Sequence, residues 1–185
     1  MKKLILFTSL LSSLAVSAIA ISATSTPTKI TNQSKLAING IGSIRVGMTV
    51  AEAAKASGTK LVTYGNSPLN QSCDYVQPQG GPKGISYMVT NGRIARVDVY
   101  ENKSITTLSG AKIGDTEARI KALYPGQIKV SPHPYTGGMG GHYLTFVPKD
   151  KSDLGYRLIF ETDGKRVERF RAGKLPEVEY IEGCS

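Results

Sequence analysis

The chain is poor in the residues from which active sites and metal centres are usually built. It holds two cysteines and two histidines among 185 residues. Both histidines, His133 and His142, fall in one glycine-rich stretch. No serine has a nucleophile-elbow context, and no glycine-rich phosphate loop with its Lys-Ser/Thr signature precedes a helix. The carboxylate pairs Asp150/Asp153 and Glu177/Glu179 sit near chain turns, and strand spacing puts the second pair on one solvated face. With no acid, base and nucleophile assembled, the sequence predicts a protein that is not an enzyme and needs no cofactor. Past the first twenty residues no apolar run is long enough to cross a bilayer, so no integral membrane anchor is expected there.

What is present starts with MKKLILFTSLLSSLAVSAIA. Lys2 and Lys3 make a positive n-region, an apolar run follows, and Ala18-Ile19-Ala20 is a small-x-small cleavage pattern. Residues 1–20 are expected to be a signal peptide cut near Ala20, giving a periplasmic or secreted product. No cysteine at the cut is available to carry a lipid. Residues 21–36 are rich in Thr, Ser, Asn and Lys and read as a flexible leader, because they bury too little to offset their ordering entropy. Removing Lys2 and Lys3 from the 23 basic residues leaves 21 against 14 acidic ones. Such a cation suits lipid head groups, acidic polysaccharide or an acidic protein face, or the charge serves only solubility. Nucleic acid is disfavoured by compartment. Two cysteines in an exported chain predict a Cys73–Cys184 bridge, with two free thiols or a mixed dimer as the alternatives. Closing so long a loop stabilises by about 4–5 kcal/mol in the chain-entropy treatment.

Residues 44–58, IRVGMTVAEAAKASG, are echoed by residues 111–126, AKIGDTEARIKALYPG. In the first, Thr49 and Glu52 have the spacing of a capping box and Gly58 that of a left-handed C-cap. In the second, Asp115 or Thr116 caps, and Ile120, Leu123 and Tyr124 give one buried stripe. Each helix is too short to stand alone and needs a sheet beneath it. Strand-like runs follow each: 73–77, 85–90 and 93–100, then 142–147, 156–162 and 165–171. Asn91-Gly92 and Asp163-Gly164 mark hairpins. Two-residue loops there would pair Glu161 with Arg166, and would give the first hairpin two apolar faces. The expectation is an α+β protein: two tandem helix-plus-antiparallel-sheet repeats, helix-β-β-β twice, in one compact domain. Its parts would be repeat 1 at 37–105 and repeat 2 at 106–185, with a last strand at 177–181.

Gly47-Met48-Thr49, a short helix and Gly58 resemble the opening of the BamE (SmpA/OmlA) family of small envelope domains. Two such units in tandem are similar to the architecture of β-lactamase inhibitory protein-like chains. Asp115 replaces Met48 in the second unit, and the lipid-bearing cysteine of BamE is absent. The resemblance implies a non-catalytic role in binding protein or envelope components.

Two regions are candidates for that binding. The segment SPHPYTGGMGGHY, residues 131–143, lies in a connection long for a compact domain and offers His133, Tyr135, Met139, His142 and Tyr143. A metal held by His133, Met139 and His142, or hydrolysis using the two histidines, is the alternative there. The basic run Lys165, Arg166, Arg169, Arg171 and Lys174 reads as a charged edge strand, or as a grip on an anionic partner. The sequence therefore predicts an exported binding protein for an envelope or extracellular protein or anionic partner. An inhibitor of a secreted enzyme is one version. The partner-binding candidates are His133, Tyr135, Met139, His142, Tyr143, Arg166, Arg169 and Arg171.

Overall fold

Short runs of β-branched and aromatic residues recur along the chain, and most of its regular structure is strand. The computed structural model describes residues 26–70 and 72–184; the expected signal peptide lies outside the described residues. The strands are β1 (Lys35–Ala37), β2 (Gly40–Ile41), β3 (Ile44–Arg45), β4 (Leu61–Thr63), β5 (Cys73–Pro78) and β6 (Ile85–Thr90). They continue with β7 (Arg93–Tyr100), β8 (Thr106–Thr107), β9 (Ile128–Pro132), β10 (His142–Phe146), β11 (Tyr156–Thr162) and β12 (Val167–Lys174). The α-helices among the described residues are α1 (Val50–Ser57) and α2 (Glu117–Leu123). An eight-stranded sheet runs β4-β5-β6-β7-β12-β11-β10-β9, and a four-stranded one runs β3-β2-β1-β8.

The expected pair of helix-β-β-β repeats is overturned. Among the described residues the regular structure is mostly β, with two sheets and two short α-helices. Leu61–Thr63 and Ile128–Pro132, read as connections, satisfy their backbone groups by pairing as the outer strands of the large sheet. Ile30 and Leu36, within the expected flexible leader, are buried in the core. The expected last strand at 177–181 is instead a 3₁₀ turn over Glu177–Glu179. The basic strand β12 is central rather than an edge, flanked by β7 and β11.

Two bulges decide which side chains face where. In β6–β7, Val89 pairs with Ile94 but Met88 pairs with Arg96, because the register shifts between them. The extra residue reverses the side-chain parity of β7 relative to a regular hairpin. Val97 and Val99 therefore join Ile85 and Tyr87 in the core, and Arg96 and Asp98 go to the other face. The expected second apolar face does not exist. In β11–β12 a shift between Glu161 and Thr162 pairs Thr162 with Val167 and Glu161 with Arg169, not with Arg166.

Both helix starts dock on a hairpin turn in the same way. Gly47 and Gly114 each hold φ 93°, a region that favours glycine. The Gly47 amide donates to Ile94 (2.8 Å), and the Gly114 amide donates to Val167 (2.8 Å). Arg93 Nη1 donates back to the Gly47 carbonyl at 2.8 Å, and Arg166 Nη1 to the Gly114 carbonyl at 2.7 Å. The Thr49–Glu52 capping box is formed, and Thr116 caps α2 through the Arg119 amide.

One face of the large sheet packs on the helices through Tyr87, Phe160, Phe170 and Leu144, all buried. The chain end, from Leu175 onward, crosses part of the other face. A disulfide between Cys73 and Cys184 ties it to β5, with the two Cα atoms 5.4 Å apart.

Candidate functional site

The face opposite the helices carries charge where a sheet interior would ordinarily be apolar. Strand alternation and the β6–β7 bulge bring Arg96, Asp98 and Tyr100 to it from β7. Arg169 and Arg171 come from β12, Glu161 from β11, and Tyr143 from β10. These residues floor a pocket of about 520 Å³. Tyr64 and Tyr75 form one side, the loop bearing His133 and Tyr135 the opposite side, and Ile181 to Gly183 of the chain end a third.

The floor is a network of paired charges. Arg96, 4% exposed, is bonded through Nε to Asp98 at 2.9 Å. Its Nη1 donates to the carbonyls of Glu177 (3.1 Å) and Tyr180 (2.8 Å), and its Nη2 to the Tyr75 hydroxyl (2.5 Å). Arg171, also 4% exposed, donates from Nε to the Val178 carbonyl at 2.7 Å and from Nη1 to Glu161. Its Cζ stands 5.1 Å from the centre of the Tyr143 ring. Arg171 Nη2 is buried and has no hydrogen-bond partner among the described residues. Glu161 also receives Arg169 Nε at 3.5 Å and His133 Nε2 at 3.4 Å.

Burial shifts the acids of this site upward. Removal from water raises the Asp98 carboxyl, opposed by the Arg96 guanidinium beside it. The Tyr75 hydroxyl is pushed up to about 12, chiefly by burial and then by Asp98. Tyr100 is raised by burial and by its bond to the Tyr64 hydroxyl, 2.8 Å away. On the rim, the hydrogen bond that Tyr135 donates to Glu182 raises the Tyr135 hydroxyl.

His133 is positioned rather than free. Its Nδ1 accepts from the amides of Tyr135 and Thr136, both at 3.2 Å. That leaves Nε2 as the N–H facing Glu161. His142 lies on the other face, where Nδ1 meets Glu117 of α2 at 2.8 Å. The two histidines thus point to opposite sides of the sheet, so the alternative of a metal or hydrolytic site built from both finds no shared site among the described residues.

Of the eight sequence-derived candidates, His133, Tyr135, Tyr143, Arg169 and Arg171 meet at this pocket. Met139 is exposed on the 3₁₀ turn Gly137–Met139, away from the pocket lining. Arg166 clamps the start of α2, and His142 pairs with that helix. Tyr64, Tyr75, Arg96, Asp98, Tyr100 and Glu161 were not among the candidates. The signal for two of them is Arg96-Val97-Asp98: opposite charges at i and i+2 inside an otherwise apolar strand must share a face and have a partner.

No protein-family model matches this chain, and no curated protein matches it. Among solved structures, the crystal structure of the uncharacterized protein yfeY from Escherichia coli is similar over 80% of this chain and 100% of that chain. The identity is 14% and the TM-score 0.44, a likeness too slight to carry an argument.

Proposed function

We propose that this is an exported, non-catalytic binding protein that engages an envelope or extracellular protein through the open face of its large sheet. The observation that carries the reading is a rim of exposed aromatic and apolar side chains around a buried charged floor. Tyr64, Tyr135, Tyr180 and Ile181 are 48%, 63%, 41% and 46% exposed. Tyrosine and arginine are the residue types that dominate binding hot spots, since they bring large contact area and hydrogen bonds together. The carboxylates of the floor are held against guanidiniums, Asp98 by Arg96 and Glu161 by Arg169 and Arg171. The resemblance of residues 44–58 to BamE-type domains points to the same class of role.

The test compares the oxidised protein with a Tyr64→Ala/Tyr135→Ala/Tyr180→Ala variant as baits for envelope and culture-medium fractions of the source organism. A stoichiometric protein partner held by the first and lost from the folded variant is expected. Identical capture by both baits would refute the assignment of this face.

A further inference from the structure

We propose that the pocket floor holds a carboxylate at Arg171, with the body of the ligand against the tyrosine rings. The inference rests on the binding reading above and names the group that the partner presents. Its basis is a local charge count. Around Glu161 stand two guanidiniums, Arg169 and Arg171, both permanently charged, against one carboxylate. Asp98 is matched by Arg96 at 2.9 Å. On the floor itself three guanidiniums face two carboxylates, with the excess on the β12 side; the third carboxylate of the pocket, Glu182, stands on the chain-end wall.

The spare hydrogen-bonding capacity lies at the same place. Arg171 uses Nε on the Val178 carbonyl and Nη1 on Glu161, while Nη2 has no partner among the described residues despite burial. A buried donor left unpaired is costly, so an acceptor oxygen supplied by a ligand recovers that loss as affinity. The guanidinium is already oriented by Tyr143 beneath it and by its two other bonds, which reduces the ordering cost of binding.

The size of the excess selects the anion. A floor excess of one charge, with Glu182 on the wall beside it, admits a monoanion at most and opposes a second negative charge. A carboxylate fits this better than a phosphate dianion. The volume of about 520 Å³ lies within the roughly 300–1,000 Å³ common for small-molecule clefts. It accepts a ring or a side chain beside the charged group. A free organic acid and a carboxylate displayed by a protein share this chemistry.

The oxidised protein is titrated with benzoate, benzyl alcohol and inorganic phosphate, and with a short Gly/Ser peptide ending in phenylalanine as free acid or amide. The readout is NMR of the Arg171 Nε–H and the Tyr143 ring. Benzoate and the free-acid peptide should give saturable shifts, with the alcohol, the phosphate and the peptide amide weaker by about ten-fold or more. A peptide acid that binds tighter than benzoate assigns the carboxylate to a protein; the reverse order assigns it to a small organic acid. Arg171→Lys keeps the charge but loses the fork, and should weaken benzoate by about ten-fold. Tyr143→Leu, which leaves every hydrogen bond of Arg171 intact, serves if the lysine variant does not fold, and should also weaken it. Equal affinity for benzoate and benzyl alcohol overturns the proposal, as does unchanged affinity in a folded variant. Rim-dependent partner capture without benzoate binding would sink the carboxylate alone; benzoate binding without capture would sink the protein partner alone.

Discussion

The two faces of the eight-stranded sheet solve burial in opposite ways. Against the helices, Tyr87, Phe160 and Phe170 exclude water with apolar surface. On the other face Arg96 and Arg171 are just as buried, but each needs a carboxylate and backbone carbonyls to be tolerated there. Three of those carbonyls, from Glu177, Val178 and Tyr180, belong to the chain end. The apolar face is complete within the elements that build it. The charged face depends on a segment brought from elsewhere and fastened by Cys73–Cys184. Packing excludes water on one side, and paired charges and carbonyls make burial tolerable on the other.

The strongest way to break the comparison is Phe160→Ala. Phe160 is fully buried and contacts the rings of Tyr124 and Phe170 at centroid distances of 5.9 and 5.8 Å. A loss of about 3–5 kcal/mol is expected from urea unfolding. A loss below about 1 kcal/mol would mean that this face is not the main core. The double variant Cys73→Ser/Cys184→Ser should cost about 2–5 kcal/mol. Its distinguishing mark is faster amide exchange at Tyr180, with the β11–β12 amides protected; uniform loosening of both faces would contradict the division drawn above.

The smallest effect is the most specific. Asp98 holds its proton to a higher pH in the folded protein than in the unfolded chain, where 3.8 is usual. Between those two values the native state binds more protons, so its contribution to stability falls as pH rises through that window. Asp98→Asn keeps an acceptor for Arg96 and removes the titration. The stability of wild type relative to this variant should decline with pH there, by less than about 1.4 kcal/mol per pH unit. A flat difference would mean that Asp98 is unshifted, and a rising one that the Arg96 guanidinium outweighs burial.

The sequence shows the local punctuation of this fold and hides its parity. The Thr49–Glu52 box, the Gly58 cap, both hairpin turns and the paired cysteines are readable because each is fixed by neighbours in the chain or by simple chemistry. The bulges at Met88/Val89 and Glu161/Thr162 are not, since one extra residue is absorbed where the packing of two sheet layers requires it. Missing them misplaced Val97, Arg96 and Asp98, the last two of which belong to the pocket floor. The two- and three-residue strands β1 to β4 are too short for any periodicity to show. His133, Tyr143 and Arg171 were reachable as unusual residues, whereas their meeting with Arg96 depends on β7 lying beside β12, a long-range pairing.

That adjacency gives the molecule a form of self-checking. Arg171 lies opposite Asp98, and Phe170 opposite Val99. Sliding β12 along β7 by a single residue would turn Arg171 toward the helices and Phe170 toward the pocket, burying a charge among hydrocarbon and setting a phenyl ring among ions. A misaligned chain would therefore be penalised on both sides at once and could not persist with half a site. The pairing that builds the charged pocket is also the one that rejects wrongly folded copies.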